Sequence, residues 1–331
     1  MLALMSWLSP FSKQNSKSQA CSLYFEPLYL NSCFSIPQFL PRLIMTVKIV
    51  TDSTSDIALE LAQDLGITIV PIYVHFGDKT YRDQVDIDAN EFYHKLETGH
   101  IHPTTSAPSP GDFIKVFKKL AQETNEILSI HLSSKTSGTY NAALLAKEAL
   151  SSERYRIEVI DSEFLTMGLG LIVMMAAKAA NIGTALQQLV GRVCNAILQT
   201  DGMGLFDTLK YLAKGGRIGK AASLLGSVLN VKPLIIMRDG ELHPAGLVRT
   251  YGKGIDRLCE FVRSALPIQD LAIIHSASPN DAQILAERIS SFLPQICPWI
   301  ARLGPGLGTH TGPGALIVAL RKSGEGAVTT S

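Results

Sequence analysis

Hydroxyl side chains crowd two short stretches, Pro103-Thr104-Thr105-Ser106 and Ser133-Ser134-Lys135-Thr136-Ser137-Gly138-Thr139-Tyr140, each ahead of a helical pattern. The second follows a β-rich run over 126–132 and opens a helix expected over 139–150, with Ser137 placed to cap it. Free backbone N–H groups at a helix start, with the positive end of its dipole, make an anion site. Loops at the carboxyl ends of strands in an α/β sheet meet in one crevice, so Thr105 and Ser137 can face one ligand there. The same residues also serve as ordinary caps and turn formers, and spacing alone leaves both readings open.

Three further side chains carry comparable ambiguity. His310 heads His310-Thr311-Gly312-Pro313-Gly314, which reads as a rigid turn. Arg217 follows Gly215-Gly216, and Arg249 stands before Thr250. A lone histidine is as readily a structural hydrogen-bonder as a site residue, and exposed arginines are commonly just solvated. Asp52 ends the first expected strand, a favoured site position in an open sheet, although helix capping accounts for it too.

Nucleotide chemistry finds no support. Gly215-Gly216-Arg217-Ile218-Gly219-Lys220-Ala221 has Lys214 where a P-loop needs its first glycine and Ala221 where it needs a hydroxyl. Gly304-Pro305-Gly306-Leu307-Gly308 is followed by Thr309 instead of the last glycine of a dinucleotide fingerprint. No G-x-S-x-G elbow occurs. The cysteines, Cys21, Cys33, Cys194, Cys259 and Cys297, are odd in number and form no CxxC, so neither a disulfide framework nor a structural zinc is expected and a reducing cytoplasm fits. No metal site and no cofactor are expected.

The elements that must position these residues follow from periodicity. Strands are expected at 47–51, 67–76, 126–132 and 156–160, and helices at 57–65, from Asp88 to Gly99, at 109–122 and at 139–150. That alternation gives a mostly parallel α/β sheet. The second half opens with helices over 165–181 and 183–199. The most apolar stretch, Met167 to Ala180, is too short for a bilayer and reads as a buried core helix. A glycine-punctuated stretch follows. Strands at 232–237 and 242–249 then flank a hairpin turn at Arg238-Asp239-Gly240. A helix at 251–266, a strand at 271–275, a helix at 279–292 and strands at 299–303 and 314–320 complete a mixed α+β domain.

The expected organisation is therefore an extension over 1–44, an α/β domain over 45–163, an α+β domain over 164–322 and a flexible tail over 323–331. Residues 1–44 contain no glycine and no aspartate, and Ser6, Ser9 and Pro10 break their apolar pattern. They read as disordered, or as upstream of a true start at Met45, and not as a secretory signal. The whole chain is 331 residues, 46% hydrophobic, with Lys+Arg 30 against Asp+Glu 29. That supplies a core for two domains and lacks the basic excess of a general nucleic-acid binder.

Taken in order, Val50-Thr51-Asp52-Ser53-Thr54-Ser55-Asp56, Pro103-Thr104-Thr105-Ser106, Leu132-Ser133-Ser134 with Ser137-Gly138-Thr139-Tyr140, Leu209-Lys210-Tyr211-Leu212 with Gly215-Gly216-Arg217-Ile218, Val248-Arg249-Thr250 and His310-Thr311-Gly312 resemble the DegV family of bacterial fatty-acid-binding proteins. The resemblance spans about 46–321. It implies a two-domain DegV-like α/β fold with a long-chain fatty acid such as palmitate between the domains, in lipid transport or fatty acid metabolism. It also implies a separate fatty acid kinase that converts the carried acid to an acyl phosphate, and a protein that is not itself an enzyme. The family's head-group residues match Thr105, Ser137 and His310, and its two arginines, implied to act in the kinase interaction or in the charge network around the head group, match Arg217 and Arg249. Lys135-Thr136 departs from the glycine and hydrophobic residue common there. The alternative, from a different class, is a hydrolase or phosphotransferase with Ser137 as nucleophile and His310 as base.

Overall fold

A computed structural model of the chain describes residues 47–226 and 231–324. The expectations for residues 1–44 and for the tail beyond 324 lie outside the described residues.

The first strand, β1 (Val47–Asp52), runs into a 3₁₀ turn (Ser53–Ser55), then α1 (Leu59–Asp64) and β2 (Ile67–Val70). The single strand expected over 67–76 is two. Pro71 has no N–H to continue the ladder, so β2 ends and β3 (Tyr73–Phe76) begins a different sheet. β4 (Lys79–Arg82) precedes α2 (Ala89–Thr98), capped by Asp88 accepting from the Glu91 N–H at 2.8 Å. The stretch 103–106, read as a loop, contains β5 (Thr104–Ser106), which pairs Thr105 with Val74 of β3. A Ser109/Asp112 capping box starts α3 (Pro110–Leu120), followed by β6 (Glu126–His131), α4 (Thr139–Ala149) and β7 (Arg156–Asp161). The order β2-β1-β6-β7 is parallel throughout, and β4-β3-β5 is a small antiparallel sheet beside it.

The boundary drawn at 163/164 falls in the link between β7 and α5 (Thr166–Asn181), which α6 (Leu186–Gln199) follows. Next come β8 (Thr200–Leu205), α7 (Lys210–Lys214), a 3₁₀ turn (Gly219–Leu224), β9 (Lys232–Arg238) and β10 (Glu241–Val248). The chain continues through α8 (Tyr251–Ser264), β11 (Ile268–His275), α9 (Pro279–Ser290), β12 (Trp299–Arg302), α10 (Pro305–Thr311) and β13 (Leu316–Lys322). These strands form a mixed sheet ordered β10-β9-β8-β13-β11-β12, parallel only between β11 and β12. Sequence periodicity missed β8, because two glycines in Thr200–Leu205 disguise a central strand as a loop. It also took His310 for a turn residue, whereas His310 lies in the last turn of α10 and Gly312, at φ +69°, makes the exit.

Helix α5 ties the two large sheets together. Thirteen of its sixteen residues are buried, as expected of a helix apolar on nearly every face. Its cluster takes Val47, Ile49 and Leu128 from the parallel sheet and Ala272, Ile274 and Ala319 from the mixed one. At Gly170 the Ser55 carbonyl stands 2.7 Å from where a Cβ would be, so only glycine lets the 3₁₀ turn sit on the helix.

Candidate functional site

One face of the mixed sheet does not pack completely against α5. Ile235 and Met237 of β9, Gly202 and Gly204 of β8, and Ile317 and Ala319 of β13 floor a cavity with about 1110 Å³ of empty space, the open solvent at its mouth included. Phe164, Leu165 and Gly168 roof it at the start of α5, and Ile72 and Leu132 close the side toward the parallel sheet. The mouth is polar, with Thr105 and Ser106 of β5, Ser137 ahead of α4, Arg217 after α7, and His310 and Thr311 of α10.

Four of the six residues singled out in the sequence, Thr105, Ser137, Arg217 and His310, therefore meet at one opening. Thr105 Oγ1 and His310 Nε2 are 2.8 Å apart. His310 Nδ1 is buried with no hydrogen-bond partner among the described residues. A ring nitrogen without an acceptor is better left as a lone pair, which puts the proton on Nε2, donating to Thr105. The Thr105 O–H is then free to donate into the cavity. Burial, then the Arg217 guanidinium and His102, push the His310 pKa down to about 4, so the ring is neutral near pH 7.

Gly215 makes this placement possible, since a Cβ there would stand 2.2 Å from His310 Nδ1. The stretch that resembled a failed P-loop is thus a seat for the histidine. Arg217 Nη1 donates to the Gly215 carbonyl at 2.8 Å, holding its guanidinium over that seat.

Ser137 stands one position before the N-cap of α4, and its side chain still serves the helix start. Gly138 is the N-cap, and Ser137 Oγ lies 2.9 Å from Thr139 Oγ1 while accepting from the Thr139 N–H at 3.3 Å. Ser137 is hydrogen-bonded to Thr139 and His310 to Thr105, so the nucleophile–base pair of the hydrolase alternative is not formed. Arg249 is not brought to the mouth. It stands exposed at the end of β10, with no hydrogen bond or ion pair among the described residues.

Behind the cavity sits a buried polar frame whose members, Asp52 apart, sequence reading did not single out. Asp52 accepts from Thr54 N–H at 3.1 Å and Leu132 N–H at 3.1 Å, fixing two residues that line the slot. Its Oδ2 also lies 2.9 Å from His131 Nδ1, and His131 Nε2 is 2.7 Å from Ser129 Oγ. That chain has the composition of a catalytic triad, but all three residues are 0% exposed and none lines the cavity, so its role is to satisfy a polar core.

Asp56, at φ +52°, accepts from Thr166 Oγ1 at 2.6 Å and from the Gly304 N–H at 2.9 Å, joining the 3₁₀ turn to the starts of α5 and α10. Burial raises its pKa well above the ordinary carboxylate value. Asp83 accepts from Ser53 Oγ at 2.7 Å, and burial lifts it to about 6. Among the described residues no group of three or more His, Cys, Asp or Glu is arranged to hold a metal ion, and no helix is long and apolar enough to cross a membrane.

These arrangements match known proteins over nearly all of the described chain. A DegV domain-containing protein of Caldanaerobacter subterraneus is 36% identical over 273 residues, 81% of this chain and 96% of the relative. The structure of a DegV family protein from Thermus thermophilus, described by its fatty acid binding, superposes with a TM-score of 0.78 at 31% identity, covering 83% of this chain and 99% of that one. DegV of Bacillus subtilis, described as a fatty acid binding protein, gives a TM-score of 0.78 at 28% identity over 84% and 100%. The family model described as "Uncharacterised protein, DegV family" matches residues 46–323, and with the parallel and mixed sheets in place on either side of α5, the chain belongs to the DegV family.

Proposed function

We propose that the protein binds a long-chain fatty acid, with its tail in the slot between α5 and the mixed sheet and its carboxylate at the mouth. The observation that carries this reading is the cavity's polarity, an apolar floor and roof ending in Thr105, Ser137 and His310 at one opening. Burying a palmitate tail at ~0.8 kcal/mol per methylene gives roughly 11 kcal/mol before association costs of ~4 kcal/mol or more. The tail therefore sets affinity, and the hydroxyls set direction. A carboxylate held by hydroxyl donors beside the start of α4 stays ionised even when partly desolvated.

The finer role is to present that carboxylate to a separate kinase for acyl-phosphate formation. What supports it is that the head-group end is the open end, flanked by Arg217. Arg249, exposed and uncommitted, is free to meet such a partner. The protein itself supplies no nucleotide site in this reading. Mass spectrometry of the natively purified protein tests it: a co-purified long-chain acid is expected, and a protein that carries none and takes up no added palmitate overturns it.

A further inference from the structure

We propose that Gly202 sets the length of acyl chain the slot accepts, an inference that rests on the fatty-acid reading of the cavity. Glycine is depleted from strands because it offers nothing to pack. Each of the other buried glycines among the described residues has a packing reason, with a heavy atom 3.0 Å or nearer to where a Cβ would stand. Its neighbour Gly204 is typical, with the Phe206 ring 2.6 Å away. Gly202 differs. It is buried, it lines the cavity, and the nearest atom to its Cβ position is the Val318 carbonyl oxygen at 3.7 Å. The missing side chain leaves space to the cavity and to nothing else.

Strand register places that space at the far end of the slot. Gly204 pairs with Ile317, which packs with Phe206, Leu212 and Leu242 toward the mouth. Gly202 pairs with Ala319, one step farther along the same face, and Ala319 is itself small and lines the cavity. Two small residues side by side at the distal floor give the tail's last carbons their room. A β-branched side chain at position 202 fills that room without opposing the strand.

The test compares stearate and laurate binding to the wild-type protein and to Gly202→Val. Excluding about two methylenes, at about fourfold each, is expected to weaken stearate by about fifteenfold and leave laurate unchanged. Gly202→Ala, whose added methyl has nothing nearer than 3.7 Å, is expected to show a smaller shift of the same kind and carries the test if the valine variant does not fold. Equal effects on both acids, or no effect on either, overturn the length role while leaving the slot reading intact. A wild-type protein that binds neither acid removes the slot reading and this inference with it.

Discussion

His310 Nε2 and Thr105 Oγ1 stand 2.8 Å apart across 205 positions of sequence, one at the end of α10 and the other on the edge strand β5. The histidine is neutral near pH 7 and its other nitrogen has no hydrogen-bond partner among the described residues, so in the proposed site its part is to orient the threonine hydroxyl. A hydrogen bond to a charged group contributes about 1.5–3 kcal/mol, or roughly tenfold to a hundredfold in affinity. Thr105→Val is expected to weaken palmitate binding by that range. His310→Ala should weaken it less, and in the double variant the histidine change should cost almost nothing more. Titrations of the four proteins check this, and additive losses would show that the two side chains act separately.

Ser137→Ala tests the second hydroxyl and the enzyme alternative together. Loss of Ser137 Oγ is expected to weaken carboxylate binding by about tenfold, with a stability loss of about 1 kcal/mol because the Thr139 N–H at the start of α4 loses its acceptor. The wild-type protein alone should show no acyl-ester hydrolysis, since the serine is bonded to Thr139 and the histidine to Thr105. Sustained turnover that vanishes in Ser137→Ala would overturn the carrier reading.

Buried Asp83 and half-buried His310 give the fold opposing responses to acid. The pKa of Asp83 is raised from 3.8 to about 6, so the native state holds more protons in that window and gains stability as pH falls through it. The pKa of His310 is lowered from 6.5 to about 4, so stability is lost over nearly the same window. Asp83→Asn removes the compensating gain. Its stability should fall more steeply than the wild type's between about pH 6 and about pH 4, by up to roughly 3 kcal/mol. Denaturant unfolding at several pH values measures this, and parallel curves would show that Asp83 ionises as a surface carboxylate does.

Where local pattern decides, the sequence was a good guide. The Ser109/Asp112 capping box, the Asp88 cap and the mostly apolar α5 all follow from residues a turn apart. Strand β8 was missed because glycine lowers strand propensity, and the surroundings of its two glycines, the Phe206 ring at Gly204 and the cavity at Gly202, exist only in the folded chain. The site divides the same way. Thr105, Ser137, Arg217 and His310 stood out by residue type, while their convergence depends on α10 returning to β5. Asp56 and Asp83 gave no signal, because a buried carboxylate is recognised by what surrounds it.

Substitutions at Arg217 and Arg249 test whether carrying a lipid and handing it on, as proposed, depend on different residues. Arg217 lines the mouth and is pinned to the Gly215 carbonyl, whereas Arg249 has no partner among the described residues and lies away from the slot. The tail supplies most of the binding energy, so removing either charge should change palmitate affinity by less than about threefold. A charge that meets a protein partner acts on association rate and its salt dependence. Arg249→Ala is therefore expected to keep its lipid yet support little acyl-phosphate formation with a cognate kinase, and the residual rate should depend less on salt. Arg217→Ala should behave similarly, with the added effect of raising the His310 pKa in part, burial remaining the larger cause of its depression. Lipid occupancy and kinase turnover measured on one preparation separate these roles, and full occupancy with undiminished turnover would remove both arginines from the partner surface.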